Sequence, residues 1–409
     1  MSTSASLANA PASVVPHPLR HAPYRRWLIG NTVSLLGDQC YLVALPWLIL
    51  ELTGSAAALG TVMMTAAVPR AVLMLLGGAV TDRVSARKIM LAAAIVRAAC
   101  VGLLGAFVWR GAPAMGEIYA MVLVFGIADA FALPAQSAYL PALLPREQFV
   151  AASSVGQVAA RAVAILGPAP AGLLVNALGL AAAFGADAAS FLAVIAALWR
   201  LPDPPVSTKT SGGIPRAIAE GIAYVAKDTP LCSLTILATA MNFCLSGPVA
   251  VGLAYLSKNV FDSPTAYGTV VAAVAAGGLL GALLAGVLKT QRRGVLILAA
   301  SALLGICLML VGPVHALWSV AALFLVMGAV AGLANVHVGA WILQRVDASV
   351  RGRVTSVLML ASFGIAPISL AAAGFAVAWN ASGMFFGAGA LMLLVTCLAA
   401  LNREVRGIR

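Results

Sequence analysis

Charge is the scarcest property of this chain. Only 9% of its 409 residues are Asp, Glu, Lys or Arg, against about 25% in an ordinary soluble domain. Acids are the rarer sign, 13 against 25 basic residues, and histidine occurs four times. So few charged side chains exclude a water-solvated globule of typical composition. Alternation of polar and apolar residues is also missing, so an outer-membrane barrel is not expected. No phosphate-binding GxxxxGK[ST] loop occurs, and ATP is not expected to be the direct driver of whatever the protein does. Neither a catalytic triad nor metal-ligand spacing is found, so the chain does not read as an enzyme and needs no metal or other cofactor. The six cysteines (Cys40, Cys100, Cys232, Cys244, Cys307, Cys397) all fall inside apolar runs. They read as small hydrophobes, not as a disulfide framework.

What is abundant is apolar length. Hydrophobic residues make up 62% of the chain and the mean hydropathy is +1.01. A membrane-spanning helix needs about 20 largely apolar residues. Twelve segments qualify, at about 27–52, 56–80, 88–109, 118–142, 151–176, 180–199, 231–256, 266–288, 294–313, 316–342, 354–378 and 383–401. The expected fold class is therefore an all-α polytopic membrane protein of twelve transmembrane helices.

The net charge of +12 does not indicate nucleic acid, because the basic residues lie in short clusters between apolar segments. With both termini and the even-numbered loops on one side, that side receives 20 Lys and Arg residues. The other side receives two, Arg110 and Lys258; Arg70, Arg97 and Arg161 fall within spans. By the positive-inside rule the termini are cytosolic in a bacterial-type inner membrane. Residues 1–26 lack the charged start, apolar centre and cleavage site of a signal peptide and read as a cytosolic tail.

"LPDPPVSTKTSGGIP", from Leu201 to Pro215, is the longest polar interruption and reads as a linker. After it, "RAIAEGIAYVAKD" has an apolar stripe of Ile218, Ile222 and Val225, expected to lie along the cytosolic surface. The organisation expected is a six-helix bundle over 27–200, a linker with an amphipathic helix over 201–230, a second bundle over 231–402 and a cytosolic tail over 403–409. The halves echo each other. "GGAVTDRVSARK" follows span 2 and "AGVLKTQRRG" follows span 8; "ILGPAPAG" in span 5 has a weaker counterpart, "SFGIAPISLAAAG", in span 11. Parallel repeats of this kind are a transporter feature.

Charges inside spans are costly, about 2.5–3.5 kcal/mol at mid-bilayer on insertion scales, and should face a cavity or each other. Asp38 lies about 18 Å along a helix from Arg26, near the middle of a hydrocarbon core of about 30 Å. The same count puts Asp129 about 18 Å beyond Glu117, Arg70 about 18 Å from Asp82 and Arg97 about 14 Å beyond Lys88. Arg161 also falls near mid-depth. The second half has no comparable charge, only His337. Two readings are open: the acids and arginines neutralise one another and pin the first six helices, or Asp38 or Asp129 titrates as arginines and water come and go. Asn31, Tyr41, Asn242, Tyr255, Asn335, His337, Trp341 and Gln344 are the polar and aromatic candidates for a substrate cavity. The apolar remainder suits a large amphipathic small molecule.

These motifs carry a resemblance. The chain resembles the major facilitator superfamily, in particular its twelve-helix branch of drug and siderophore exporters, which includes macrolide and enterobactin exporters. Gly78, Asp82, Arg83, Arg87 and Lys88 are similar to the superfamily's signature between helices 2 and 3, with Ser85 and Ala86 where Gly and a basic residue are usual. "LPAQSAYLPALLPREQFVAASS", "FGADAASFL", "EGIAYVAKDTPL" and "LQRVDASVRGRVTS" also match the branch. The resemblance implies two pseudo-symmetric six-helix halves, a charged latch at Gly78, Asp82, Arg83, Arg87 and Lys88, and an exporter motif on helix 5 at Gly167, Pro168 and Gly172. In that motif Val163 stands where a further Gly is usual. It also implies that helix 1, and so Asp38, lines the cavity, while helix 6 is peripheral and Asp187 structural. Arg on helix 4, frequent in proton-linked members, is replaced here by Asp129. The function expected is export of a siderophore or drug-like molecule by a monomer in exchange for protons. A lysophospholipid transporter and a transport-dead sensor of the same fold are the alternatives.

Overall fold

The computed structural model describes residues 17–81, 83–111, 113–203, 214–288 and 290–408. Every regular element among them is helical. Hydrocarbon offers backbone N–H and C=O groups no partners, and a helix satisfies them within its own segment. In chain order the long helices are α1 (Ala22–Thr53), α2 (Ala56–Thr81), α3 (Ala86–Arg110), α4 (Met115–Leu143), α5 (Phe149–Leu166) and α6 (Pro168–Trp199). After α7 (Ile214–Lys227) come α8 (Thr229–Phe261), α9 (Pro264–Val287), α10 (Arg293–Val311), α11 (Leu317–Arg345), α12 (Ala348–Trp379) and α13 (Ala381–Leu401). Twelve of these are long and apolar enough to cross a membrane.

The boundary between the fifth and sixth crossings does not fall at Pro168. Gly167 has φ −77 and ψ −44, so α5 runs on helically into the first limb of α6. Pro168 therefore sits inside a continuous helix, where its missing N–H interrupts the backbone ladder between the two stretches. The chain reverses at Gly179, where φ is +83 and ψ 174, a conformation that only glycine adopts without strain. The two limbs of α6 therefore belong to successive crossings.

The ends differ from the sequence expectation in physical ways. The first helix starts at Ala22, ahead of residue 27, because the Tyr24 hydroxyl donates to the Ala152 carbonyl at 2.7 Å and buries that turn against α5. Residues 403–406 form a helical turn, with Gly294 N–H donating to the Ile408 carbonyl at 3.1 Å and Val405 fully buried. Helix α7 lies against the start of α12, where Arg353 pairs with Glu220 at 2.8 Å. Of its expected apolar stripe Val225 is buried, Ile222 is half exposed, and the side chain of Ile218 lies outside the described residues. The tail residues 1–16 and linker residues 204–213 also lie outside them.

The helices pack as two groups. In the first, α1 and α3 lie against α6 and α2 against α4; in the second, α9 lies against α11, α10 against α13 and α8 against α12. The groups meet mainly through α2 with α12 and α6 with α9. Without water there is no hydrophobic drive between helices, so close backbone approach at small residues carries the contact. Gly172 faces the Pro264 carbonyl and Thr265, and Gly268 reciprocally faces the Pro168 carbonyl and Ala169. Gly60 and Gly374 meet in the same way. All four contacts lie toward the end opposite the termini, where Lys258 also sits 4.5 Å from the Trp47 ring centroid. At the terminus end the described polar contacts stay within one group: Arg87 to the end of α6, Lys88 to Asp203, and Arg345 to Asp228.

A side chain at Gly268 must push the α6–α9 backbones apart. Gly268→Val is expected to cost the closed end about 1–3 kcal/mol through overpacking. In a background lacking the six native cysteines, a cysteine placed at Ser246 should then label faster with an impermeant maleimide from the side opposite the termini. Unchanged labelling would show that this contact does not hold the end shut.

Candidate functional site

Between the two groups lies a cavity of about 580 Å³. Its polar lining from the first group is Asn31, Ser34, Asp38, Tyr41, Arg70, Arg97, Asp129 and Gln136. The second group contributes Asn242, Ser246 and Ser362, beside Phe363. Asp38, Arg70, Arg97 and Asp129 each sit near the midpoint of their helix, as far as possible from either end.

Local helix geometry explains the convergence. Residues seven apart return to the same helix face after two turns. On α1 this aligns Asn31 with Asp38, and on the antiparallel α4 it aligns Gln136 with Asp129. The Gln136 amide donates to Asn31 Oδ1 at 2.6 Å, while Asp38 and Asp129 meet on a common cation two turns away. That cation is Arg97 of α3. Its guanidinium donates to Asp38 at 2.8 Å and lies 3.7 Å from Asp129. It also lies 4.7 Å from the Phe125 ring centroid and 4.6 Å from that of Phe191. Cation–π contact strengthens where water is excluded. Tyr41 stacks on Phe125 at 4.8 Å and extends this aromatic wall.

Arg70 of α2 completes the set, 3.3 Å from Asp129. Its side chain is 42% exposed, against 15% for Arg97 and Asp129 and 27% for Asp38. The contrast separates a fixed cation from a wet one. Arg70 also stands 5.9 Å from the ring centroid of Phe363, in the other group. Two acids and two arginines thus balance in a cavity wall, with the exposed member reaching toward the opposite half.

The other sequence candidates distribute as follows. Asn31, Tyr41 and Asn242 line the cavity, and the Asn242 amide lies 3.4 Å from the Ser362 hydroxyl. Tyr255, Asn335, His337, Trp341 and Gln344 lie outside it. Tyr255 borders a small crevice with His315 and Phe385 toward the end opposite the termini. His337 is buried, 3.0 Å from the Leu333 carbonyl one turn back, in a separate pocket with Thr290, Gln291 and Arg293. Trp341 is buried beneath Arg345, Gln344 accepts from Arg293 at 2.7 Å, and Asn335 is exposed. Arg161 is apart from the ion cluster: from α5 it extends toward Gly278 of α9, across the group boundary. Gly167 packs against Gln39 and Gly172 against α9, which places the helix-5 motif at the group contact.

Of the expected latch, Asp82 lies outside the described residues, as does the side-chain environment of Gly78 on α2. Arg83 is exposed. Arg87 donates to the carbonyls of Leu198 at 2.7 Å and Trp199 at 2.9 Å, capping the negative end of α6. Lys88 stands 3.7 Å from Asp203, which also accepts from the Ser85 hydroxyl. These basic residues bind within their own half, and Ser85, an exception to the family signature, supplies a hydrogen bond that glycine could not. Sequence reading misses Gln136, Ser362 and the rings of Phe125, Phe191 and Phe363. The seven-residue step from Asp129 is the available signal for Gln136; the rings have none among so many apolar residues.

Twelve crossings in two packed groups around a shared, charge-lined cavity define a secondary transporter. The Major Facilitator Superfamily pattern matches residues 27–370, and the chain belongs to that superfamily. It is a multi-pass membrane transporter, not an enzyme. It is 27% identical over 396 residues to the multidrug efflux pump Tap of Mycobacterium tuberculosis, covering 93% of each chain. It is also 27% identical over 296 residues to macrolide efflux protein A of Streptococcus pyogenes, covering 71% of this chain and 72% of that one. Among solved structures it resembles the nucleoside transporter NupG, with a TM-score of 0.75 at 12% identity over 93% of this chain and 98% of that one. A bacterial homologue of the iron transporter ferroportin in an inward-facing state gives a TM-score of 0.71 at 15% identity, over 93% and 98%. At such identities the structural likeness concerns the fold.

Removing the central cation tests how much the cluster holds together. Arg97→Ala leaves Asp38 without a cation and Asp129 with Arg70 alone, and breaking a buried pair costs about 3–5 kcal/mol, less where water enters. Thermal unfolding in nanodiscs should fall clearly for Arg97→Ala and recover in part when Asp38→Asn and Asp129→Asn are added. A triple variant no more stable than the single one would show that the arginine acts by packing alone.

Proposed function

We propose that this protein exports an amphipathic, drug- or siderophore-like molecule across the bacterial inner membrane, with both termini cytosolic, by alternating access in exchange for protons. It acts as a monomer, and the proton gradient takes the place of a cofactor. The observation carrying this reading is Asp38, a carboxylate on the cavity wall whose charge is held by one guanidinium at 2.8 Å. Protonating Asp38 cancels that ion pair and frees α1 from α3 on the face that meets the cavity. A difference of about 1.4 kcal/mol already shifts a conformational equilibrium tenfold. Proton binding that favours one orientation and cargo binding that favours the other then alternate on the same element.

The cargo class follows from the lining. Amides and ion pairs are interspersed with Leu35, Leu42 and Met63 on the first group's wall and face Phe363 and Leu370 of the second, which suits a molecule with both polar and apolar surfaces. The efflux names of the relatives at 27% identity support the outward direction. The basic bias of the terminus-side loops supports a cytosolic placement of that end. Arg70, exposed and close to Phe363, is the residue able to exchange Asp129 for cargo.

A second reading has its own observation. An apolar crevice of about 410 Å³ lies between α8, α12 and α13, lined by Phe243, Pro248, Trp379, Met384 and Leu391. A lysophospholipid chain would fit such a surface, and its transport would be indifferent to pH.

Proteoliposomes with an imposed pH gradient separate the two, using macrolides, siderophores and lysophospholipids as probes. Gradient-driven movement of a macrolide or siderophore is expected, falling to the gradient-free level in Asp38→Asn while cargo binding is retained. Movement that survives Asp38→Asn would remove Asp38 from coupling. Lysophospholipid movement without a gradient would replace this reading with the second.

A further inference from the structure

Behind the cavity wall lies a carboxylate that the exporter reading leaves unused. Asp187, on the second limb of α6, is fully buried. Its Oδ1 is 3.5 Å from the Ser190 hydroxyl, which donates instead to the Asp187 carbonyl at 2.7 Å. Its Oδ2 has no hydrogen-bond partner among the described residues. It packs against Gly37 of α1, where an added Cβ would strike both Ser190 and Asp187 Oδ1, so glycine beside Asp38 is what admits this acid. The titratable and charged groups facing it are Asp38, Cys40 and Tyr41 from α1 and Arg97 from α3.

Arg97 is the one cation in that set, and its side-chain contacts already go to Asp38 and Asp129. Its Nε, like Asp187 Oδ2, is buried without a hydrogen-bond partner among the described residues. A bare carboxylate shut away from water and unpaired is far costlier than a neutral acid in the same place. Two carboxylates close to one guanidinium that is already matched titrate as a coupled pair. We propose that Asp187 and Asp38 share a single proton around Arg97, Asp187 holding it while Arg97 is paired with Asp38. When that proton passes from Asp187 to Asp38, the O–H bond at Asp187 breaks as one forms at Asp38, and Arg97 exchanges the Asp38 carboxylate for that of Asp187. One O–H bond forms as another breaks, and the charge of the cluster is unchanged. The buried acid becomes a place where the ion pair waits during transport, keeping Arg97 compensated in both states. This rests on Asp38 as a titrating residue.

Infrared spectroscopy of the full chain in nanodiscs at neutral pH, without cargo or gradient, tests it. The wild type should show the carbonyl stretch of a protonated, unhydrated carboxyl group. Asp187→Asn should abolish it, and Asp187→Glu should shift it, which identifies the group even if the Asn variant folds poorly. Asp38→Asn should abolish it too, because the freed Arg97 ionises Asp187, while Asp129→Asn should retain it. A band absent from the wild type, or persisting in Asp187→Asn or in Asp38→Asn, overturns the shared proton. Because the spectrum needs no transport, these bands together with pH-indifferent transport would count against the exporter reading and not against the shared proton.

Discussion

The guanidinium of Arg97 is the point on which the first six helices converge. It belongs to α3, pairs with acids from α1 and α4, and lies against rings from α4 and α6. A cation placed in the middle of an apolar helix is costly unless acids, rings or a wet cavity answer its charge. That requirement fixes the depth, rotation and spacing of four helices at once. It also explains the balance of charge: two acids and two arginines form a set that is neutral as a whole and polarised locally. Arg70 differs from Arg97 in being wet and in reaching toward Phe363, so the same network has a fixed centre and a free margin.

Around that centre the two halves are joined by small residues. Gly172 and Gly268 admit each other's helix ends, as do Gly60 and Gly374. Such contacts are made of backbone and dispersion alone, with no buried polar group to strand when they separate. Ion pairs and helix caps at the terminus end instead hold each half to itself, as Arg87 does on the end of α6 and Arg345 on Asp228. Two internally tied bodies meeting on smooth glycine surfaces are suited to rocking against one another.

Much of this is legible in the chain of amino acids, because the membrane imposes rules that act locally. Twelve apolar runs of sufficient length require twelve helices. The mid-span charges announce a cavity because nothing else in hydrocarbon tolerates them. Asn31, Asp38 and Tyr41 all reach that wall from helix 1, which the resemblance makes a cavity-lining helix. The second half is where sequence reasoning fails: Tyr255, Asn335, His337, Trp341 and Gln344 are polar or aromatic, and the helical spacing of 337, 341 and 344 marks a face without saying what that face meets. Polarity near a helix end is equally well met by a carbonyl, an arginine or solvent, and those are the partners several of them have. Gln136 escapes notice although its two-turn spacing from Asp129 is visible.

The sequence by itself determined the number of membrane-spanning helices and their approximate places in the chain, since these depend on transfer of individual side chains and backbone groups between water and lipid. It also determined that Asp38, Asp129, Arg70 and Arg97 would need partners. Which acid meets which arginine was decided only in three dimensions, by the rotation of α1, α3 and α4 against one another. So was the seclusion of Asp187, whose packing against α1 depends on a glycine, Gly37, in that helix. Pairing is a property of distances across helices, and those are set by packing that no single segment carries.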